Sequence, residues 1–287
     1  MPPASRAGRD LPAAIGVGVA LFVAIVGSLE WFHLGFVLLL AATLALGAHE
    51  VARALRRVGM HAATWPIVVG AVGIVIGSYL AAQVPQAGIT SNTWLLVSTG
   101  LTVLLALVWR MPGGSDGYVR DAAASLFIIA YVPLLGAFVP LMLAAPDGVH
   151  RVVVYIVCVM ASDIGGYGVG VVAGRHQMAP RISPKKTWEG FAGSIGLGIV
   201  VGVLGATLLL HTHWWVGLLL GVLLVGFGTA GDLVESLVKR DVGIKDMSHI
   251  LPGHGGVMDR IDSMLLAAPV AWLIMHVTLA VGPVIGQ

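Results

Sequence analysis

The stretch "WWVGLLLGVLLVGFGTAGDLVESLVKR", Trp214 to Arg240, decides how the chain is read. It carries no charge from Trp214 to Gly231, and about 20 mainly apolar residues suffice to cross a hydrocarbon core about 30 Å thick. Beyond Gly231 the helix continues past the membrane as a polar segment. There Asp232, Glu235, Ser236 and Lys239 fall at i, i+3, i+4 and i+7 and share one face. An apolar span therefore delivers an acidic and basic helix face to a membrane surface.

The apolar pattern recurs along the chain. Nine spans are expected, at residues 11–28, 31–49, 62–83, 92–109, 122–145, 152–174, 189–210, 214–238 and 263–282. The fold class is therefore all-α, a polytopic integral membrane protein. A hydrophobic content of 57% over 287 residues and a mean hydropathy of +0.94 agree with this. Pro133 and Pro140 predict a break or kink in the fifth span.

Charge supports the odd number of spans. With a cytoplasmic N-terminus, Arg6, Arg9, Arg53, Arg56, Arg57, Arg110, Arg120, Arg175, Arg181, Lys185, Lys186, Lys239, Arg240, Lys245 and Arg260 all fall on the cytoplasmic side. That is 15 of 16 basic residues, with Arg151 alone opposite. The first apolar run also fits a signal peptide, but its cleavage signal near Val26 and Ser28 is poor. A net charge of +2 is too small to suggest a nucleic-acid partner.

Cys158 is the one cysteine, which excludes an intrachain disulfide and a thiolate metal cluster, and its apolar span predicts a packed small hydrophobe. His211 and His213 fall in a short external turn without a carboxylate or cysteine nearby, so a solvated loop is expected. Residues 1–117 form an N-terminal region of four spans with no visible chemistry, and Asp10, Glu30 and Glu50 read as solvated caps at span ends. Residues 118–287 form the second region, and its polar residues are organised.

In "SDIGGYGVGVVAGRHQMAPRISPKKTWEG", Ser162 to Gly190, the glycines 166, 170 and 174 recur every fourth residue and predict close helix packing. Asp163 lies inside the span at a cost of about 2.5–3.5 kcal/mol near the bilayer centre, so it should face a cavity, a cation or a partner. In the loop that follows, Ser183 and Pro184 are expected to shape a turn and Thr187 to cap a helix starting near Trp188. Lys185 and Lys186 would then project at a helix N-terminus suited to phosphate.

Near the C-terminus, eight charged residues crowd between Lys239 and Asp262: Lys239, Arg240, Asp241, Lys245, Asp246, Asp259, Arg260 and Asp262. Gly243 allows a turn, and "PGHGG", Pro252 to Gly256, forms a close-approach loop into the last span. Asp259, Asp262 and Ser263 again share a helix face, so two acidic faces can meet at one membrane surface. Carboxylates flanked by Lys and Arg suit Mg²⁺ shared with substrate phosphates, and glycines let backbone N–H groups approach oxyanions. The inventory suits a Mg²⁺-nucleotide. Solvated intrahelical ion pairs explain Asp241 and Glu235 but not the whole set.

The run "SLVKRDVGIKDMSHILPGHGGVMDRID", Ser236 to Asp262, resembles the signature of phosphatidate cytidylyltransferases, also called CDP-diacylglycerol synthases. In order it reads Ser, two residues, Lys-Arg, four residues, Lys-Asp, five residues, Pro-Gly-His-Gly-Gly, two residues, Asp-Arg, one residue, Asp. "SPKKTWEG" and the segment from Asp163 to Tyr167 resemble the family too, except that Gly166 stands where a residue such as Ala is expected. The resemblance covers residues 118–287, the first four spans being similar in hydropathy only.

The resemblance implies transfer of CMP from CTP to phosphatidic acid in the inner leaflet of the plasma membrane, with the active site on the cytoplasmic side and a homodimeric assembly. It implies Mg²⁺, a second cation being left open, with Asp232 and Asp259 as first ligands and Asp262 and Asp163 next. Lys239, Arg240, Lys245 and Arg260 would neutralise the CTP phosphates, the lipid phosphate or the leaving pyrophosphate, and Asp246 counts with them among the catalytic residues. Ser183, Lys185, Lys186 and Thr187 would take a phosphate from the other loop. His254 would donate to pyrophosphate or serve the PGHGG loop's conformation alone, and Ser236, Gly255, Gly256 and Ser263 would line the substrate. A CTP-dependent lipid kinase shares much of this inventory but releases CDP. A cation transporter would spread its acidic residues through the membrane depth.

Overall fold

In lipid a backbone must satisfy its own hydrogen bonds, so apolar runs of this length become helices. A computed structural model of the chain describes residues 23–84, 88–248, 250 and 255–280. From residue 33 its α-helices are α1 (His33–Leu55), α2 (Thr64–Gln83), α3 (Ser91–Arg110), α4 (Tyr118–Ile129), the short α5 (Phe138–Leu143), α6 (Gly148–Ala173), α7 (Trp188–Leu204), α8 (Trp214–Asp241) and α9 (Met258–Ala280). Among the described residues eight segments are long and apolar enough to cross a membrane, and they coincide with the spans expected from residue 31 onward. The first expected span lies mostly outside the described residues, of which 23–31 are helical.

The fifth span breaks as its prolines predict. α4 runs into a π-helical turn, Ala130–Leu134, where Pro133 lacks an N–H, and α5 begins after it. Cys158 is fully buried, and Gly243 turns the chain after α8 with φ 69°. His211 and His213 are exposed, and no His, Cys, Asp or Glu cluster of metal-binding shape exists among the described residues.

The outer surface is apolar, with Leu96 75% and Val172 88% exposed. That is the reverse of a soluble protein, because lipid is as good a solvent for Leu as a core is. Small residues work inside. A Cβ at Gly202 of α7 would lie 2.3 Å from the carbonyl oxygen of Gly217 on α8, and one at Gly221 would lie 2.5 Å from that of Gly198. The glycine row of α6 packs on α7 as expected: a Cβ at Gly166 would lie 2.5 Å from Ser194 Oγ and one at Gly174 2.9 Å from Thr187 Oγ1. Successive helices α6, α7, α8 and α9 pack side by side, as do α1, α2 and α3.

Between α6 and α7 the chain makes a two-stranded antiparallel hairpin, β1 (Gln177–Ala179) and β2 (Ser183–Thr187). Ser183 and Pro184 therefore lie in a strand and not in the turn expected of them. The turn falls earlier because Pro180 presets its first central position, and the Ile182 amide donates to Ala179 O over 3.1 Å.

The basic loops gather at one end of the bundle. There Arg56 donates to Thr64, Arg110 Nε to Asp121 at 2.7 Å, Arg240 to Ile182 O, and Lys186 pairs with Asp232. Arg151 pairs instead with Asp147 at the start of α6, in the loop that follows α5.

Candidate active site

Gly231 lets α8 and α9 touch where their acidic faces begin. A Cβ there would stand 2.4 Å from the carbonyl oxygen of Asp262. At this crossing Lys239 bonds to Glu235 on its own helix and to Asp259 Oδ1 of α9 at 2.8 Å. The other oxygen of Asp259 accepts the amides of Met247 at 3.0 Å and Gly256 at 2.9 Å. Asp262 is buried and accepts the amide of Ser263 at 2.7 Å. Glu235 is 1% exposed, and its Oε1 has no hydrogen-bond partner among the described residues. The faces meet as the helical spacing predicts, through a lysine shared by two carboxylates.

The hairpin builds a second cluster. Thr187 caps α7 as expected, its hydroxyl accepting the amide of Gly190 at 3.1 Å. Glu189 reaches back to accept the amides of Arg175 at 3.1 Å and His176 at 3.2 Å, and bonds the His176 ring at 2.6 Å. This ties both ends of the hairpin to the start of α7. Lys186, so held, pairs with Asp232 of α8 at 2.5 Å. A cavity of about 310 Å³ opens beside this pair, lined by Asp163, Ser183, Lys185, Lys186, Thr187 and Asp232 among others.

Asp163, isolated in its span by sequence, thus faces a cavity, with Asp232 and two lysines on its walls. Ser236 donates to Asp232 at 3.3 Å. Arg240, Lys245, Asp246 and Arg260 are exposed. Gly255 adopts φ 82°, and Gly256 is buried with no room for a side chain, a Cβ there lying 2.8 Å from Asp259 Oδ2. His254 lies outside the described residues. Of the four carboxylates expected to hold a metal, Asp163 and Asp232 line the cavity. Asp259 is held by Lys239 and two backbone amides, and among the described residues no three acidic or histidine side chains are grouped so as to hold a metal ion by themselves.

One carboxylate of the N-terminal region departs from the sequence reading, and a second, Asp121 in the helix that follows, is buried with it. Glu50, expected as a solvated cap, is 1% exposed because α1 runs on to Leu55 and carries it inside the bundle. It accepts from Ser248 Oγ and from the amides of Val257 at 3.0 Å and Met258 at 2.8 Å. Asp121, also 1% exposed, accepts the His61 amide at 2.8 Å and binds Arg110. The signal for Glu50 was a carboxylate ahead of three arginines in an otherwise apolar helix. Its partners are about 200 residues away, beyond any helical spacing.

Residues 12–278 match the model of the cytidylyltransferase family. The chain is 42% identical to the phosphatidate cytidylyltransferase of Mycobacterium leprae, over 94% of this chain and 89% of that one. It is 39% identical to the protein of the same name from Mycobacterium bovis, over 94% and 90%, and 29% identical to that from a Synechocystis strain, over 95% and 97%. The similarity therefore runs through the first four spans, where the sequence had shown a likeness in hydropathy only.

Proposed function

From the premise that this chain belongs to the cytidylyltransferase family, we propose that it transfers CMP from CTP to phosphatidic acid, forming CDP-diacylglycerol and pyrophosphate. The observation that carries this reading is the cavity at the basic end of the bundle. There the hairpin lysines meet Asp163 and Asp232 from membrane-crossing helices. A lipid cannot leave the bilayer and a nucleotide cannot enter it, so their reaction belongs where helix ends meet the headgroups. The positive-inside distribution of 15 of 16 basic residues supports a cytoplasmic site in the plasma membrane. The family resemblance supports a homodimer.

In this reaction a phosphate oxygen of the lipid attacks the α-phosphorus of CTP, the new P–O bond forms, and the bond to pyrophosphate breaks. A phosphomonoester has a second pKa of about 6, so the attacking oxygen is mostly ionised at neutral pH and needs no general base. The obstacle is bringing two polyanions together, and charge neutralisation with positioning must overcome it. Lys186, set by Asp232, and Lys185 beside it hold phosphate oxygens in the cavity. Lys239, set by Glu235 and Asp259, presents its charge from the helix crossing, and Arg240, Lys245 and Arg260 surround the approach.

The donor set fits a divalent cation. Asp163 and Asp232 offer hard oxygen ligands, and the buried Oε1 of Glu235 lacks a partner among the described residues. Mg²⁺ is commonly held by one or two carboxylates with substrate phosphates completing its shell. Asp232 and Asp163 would hold it, with Asp259 and Asp262 on the adjoining face. Once bound it would neutralise phosphate charge.

The test is to incubate the detergent-purified protein with phosphatidic acid and CTP labelled in the cytosine ring, with and without Mg²⁺. Mg²⁺-dependent label in the lipid fraction with equimolar pyrophosphate is expected. Label left in soluble CDP beside a newly phosphorylated lipid would make it a kinase, and no turnover by folded protein would favour a transporter. Replacing Lys185 and Lys186 together by Ala should lower kcat/KM about 10- to 100-fold with little change in thermal midpoint, a charged hydrogen bond being worth about 1.5–3 kcal/mol. Unchanged kinetics would leave the two lysines with a topological role alone.

A further inference from the structure

The chain between α8 and α9 is held at its neck by two carboxylates from different helices. Asp259 of α9 accepts the amides of Met247 on one arm and Gly256 on the other. Glu50 of α1 takes the next residue on each arm, the Ser248 hydroxyl and the Val257 amide, and then the Met258 amide. Gly256 sits between them: a Cβ there would lie 2.8 Å from Asp259 Oδ2, 3.0 Å from Glu50 Oε2 and 3.0 Å from the Ser248 nitrogen. The amides of Val257 and Met258 open α9, so without Glu50 they would lack partners in a buried setting.

We infer that Glu50 is a positioning residue for catalysis, clamping the α8–α9 neck so that Asp259 holds Lys239 in register. It needs no contact with substrate. Asp259 lies one residue beyond the last amide that Glu50 accepts, so a shift of that backbone moves the Asp259–Lys239 pair directly. A misplacement of about 1 Å at such a distance from the chemistry can cost about 10²-fold in rate.

The kinetic part of this inference rests on the transferase reading, whereas the structural part does not. Glu50→Gln keeps the size of the side chain but sets an amide N–H₂ against donors on one side. Expected is a fall in kcat of about 10- to 100-fold with KM for CTP and for phosphatidic acid nearly unchanged. Hydrogen–deuterium exchange should quicken at Met247, Ser248 and Gly256 to Met258 while α6 and α7 keep their protection. Glu50→Asp, which retains the charge, should recover part of the rate.

Parent kinetics in Glu50→Gln, or lost activity with unchanged exchange at the neck, would overturn the inference. If Glu50→Gln does not fold, Ser248→Ala removes the hydroxyl that donates to Glu50 and accepts the Ile250 amide, and leaves both backbone acceptances by Glu50 in place. It should lower kcat severalfold and quicken exchange at the same amides, and parent values of both would overturn the inference equally. If the parent protein makes no CDP-diacylglycerol, the function reading fails while the exchange pattern still decides the clamp.

Discussion

Asp259→Asn is expected to lower CMP transfer by about 10³-fold, at the upper end of what loss of one well-placed electrostatic group costs, in a protein that still folds. Asparagine has the shape of the carboxylate but only one acceptor oxygen. If that oxygen keeps the amides of Met247 and Gly256, the Asn N–H₂ meets the Lys239 ammonium where Oδ1 stood at 2.8 Å. If the amide flips, two backbone donors face a third. In either case one side of the crossing opens. Glu235 remains bonded to Lys239 and limits the structural damage. The check is CMP transfer well below the thermal midpoint, together with the elution profile in detergent. Near-normal turnover at ordinary Mg²⁺ would remove Asp259 from the machinery.

Gly231→Ala should be nearly as damaging from a residue without a functional group. Its new methyl would lie 2.4 Å from the Asp262 carbonyl oxygen and 3.1 Å from the Ser263 Cα, both backbone atoms that cannot rotate away. The helices must separate, at a cost of about 1–3 kcal/mol for overpacking. Separation also draws Asp232 and Glu235 away from Asp259 and Asp262. A loss of rate of about 10²-fold is expected for a shift near 1 Å. Gly226→Ala is the control, since nothing lies within 4 Å of a Cβ there and parent activity should persist. Equal activity in both variants would mean that the crossing tolerates separation.

What could be read from the sequence followed the range of each physical rule. Span existence depends on about 20 neighbouring residues, and eight expected spans match crossing-length helices among the described residues. The acidic faces of α8 and α9 and the Thr187 cap depend on spacings of three and four, and each took its expected local form. The hairpin was missed because Pro184, beside Ser183, suggested the turn that Pro180 makes. Glu50 was misread for a different reason. A carboxylate at the end of an apolar run is a solvated cap unless something distant descends on it, and Ser248, Val257 and Met258 lie about 200 residues further on.

That distance has a consequence for the birth of the enzyme. Glu50 and the amides it accepts are separated by 207 and 208 positions. At about 5–20 residues per second, a ribosome needs on the order of 10–40 s to supply the second half of the clamp after the first has entered the bilayer. Through that interval α1 carries a carboxylate at the membrane end with no amide to receive it, and the Asp259–Lys239 pair does not yet exist. Each new molecule is therefore inert until α9 inserts, and assembly of the active centre waits on that helix.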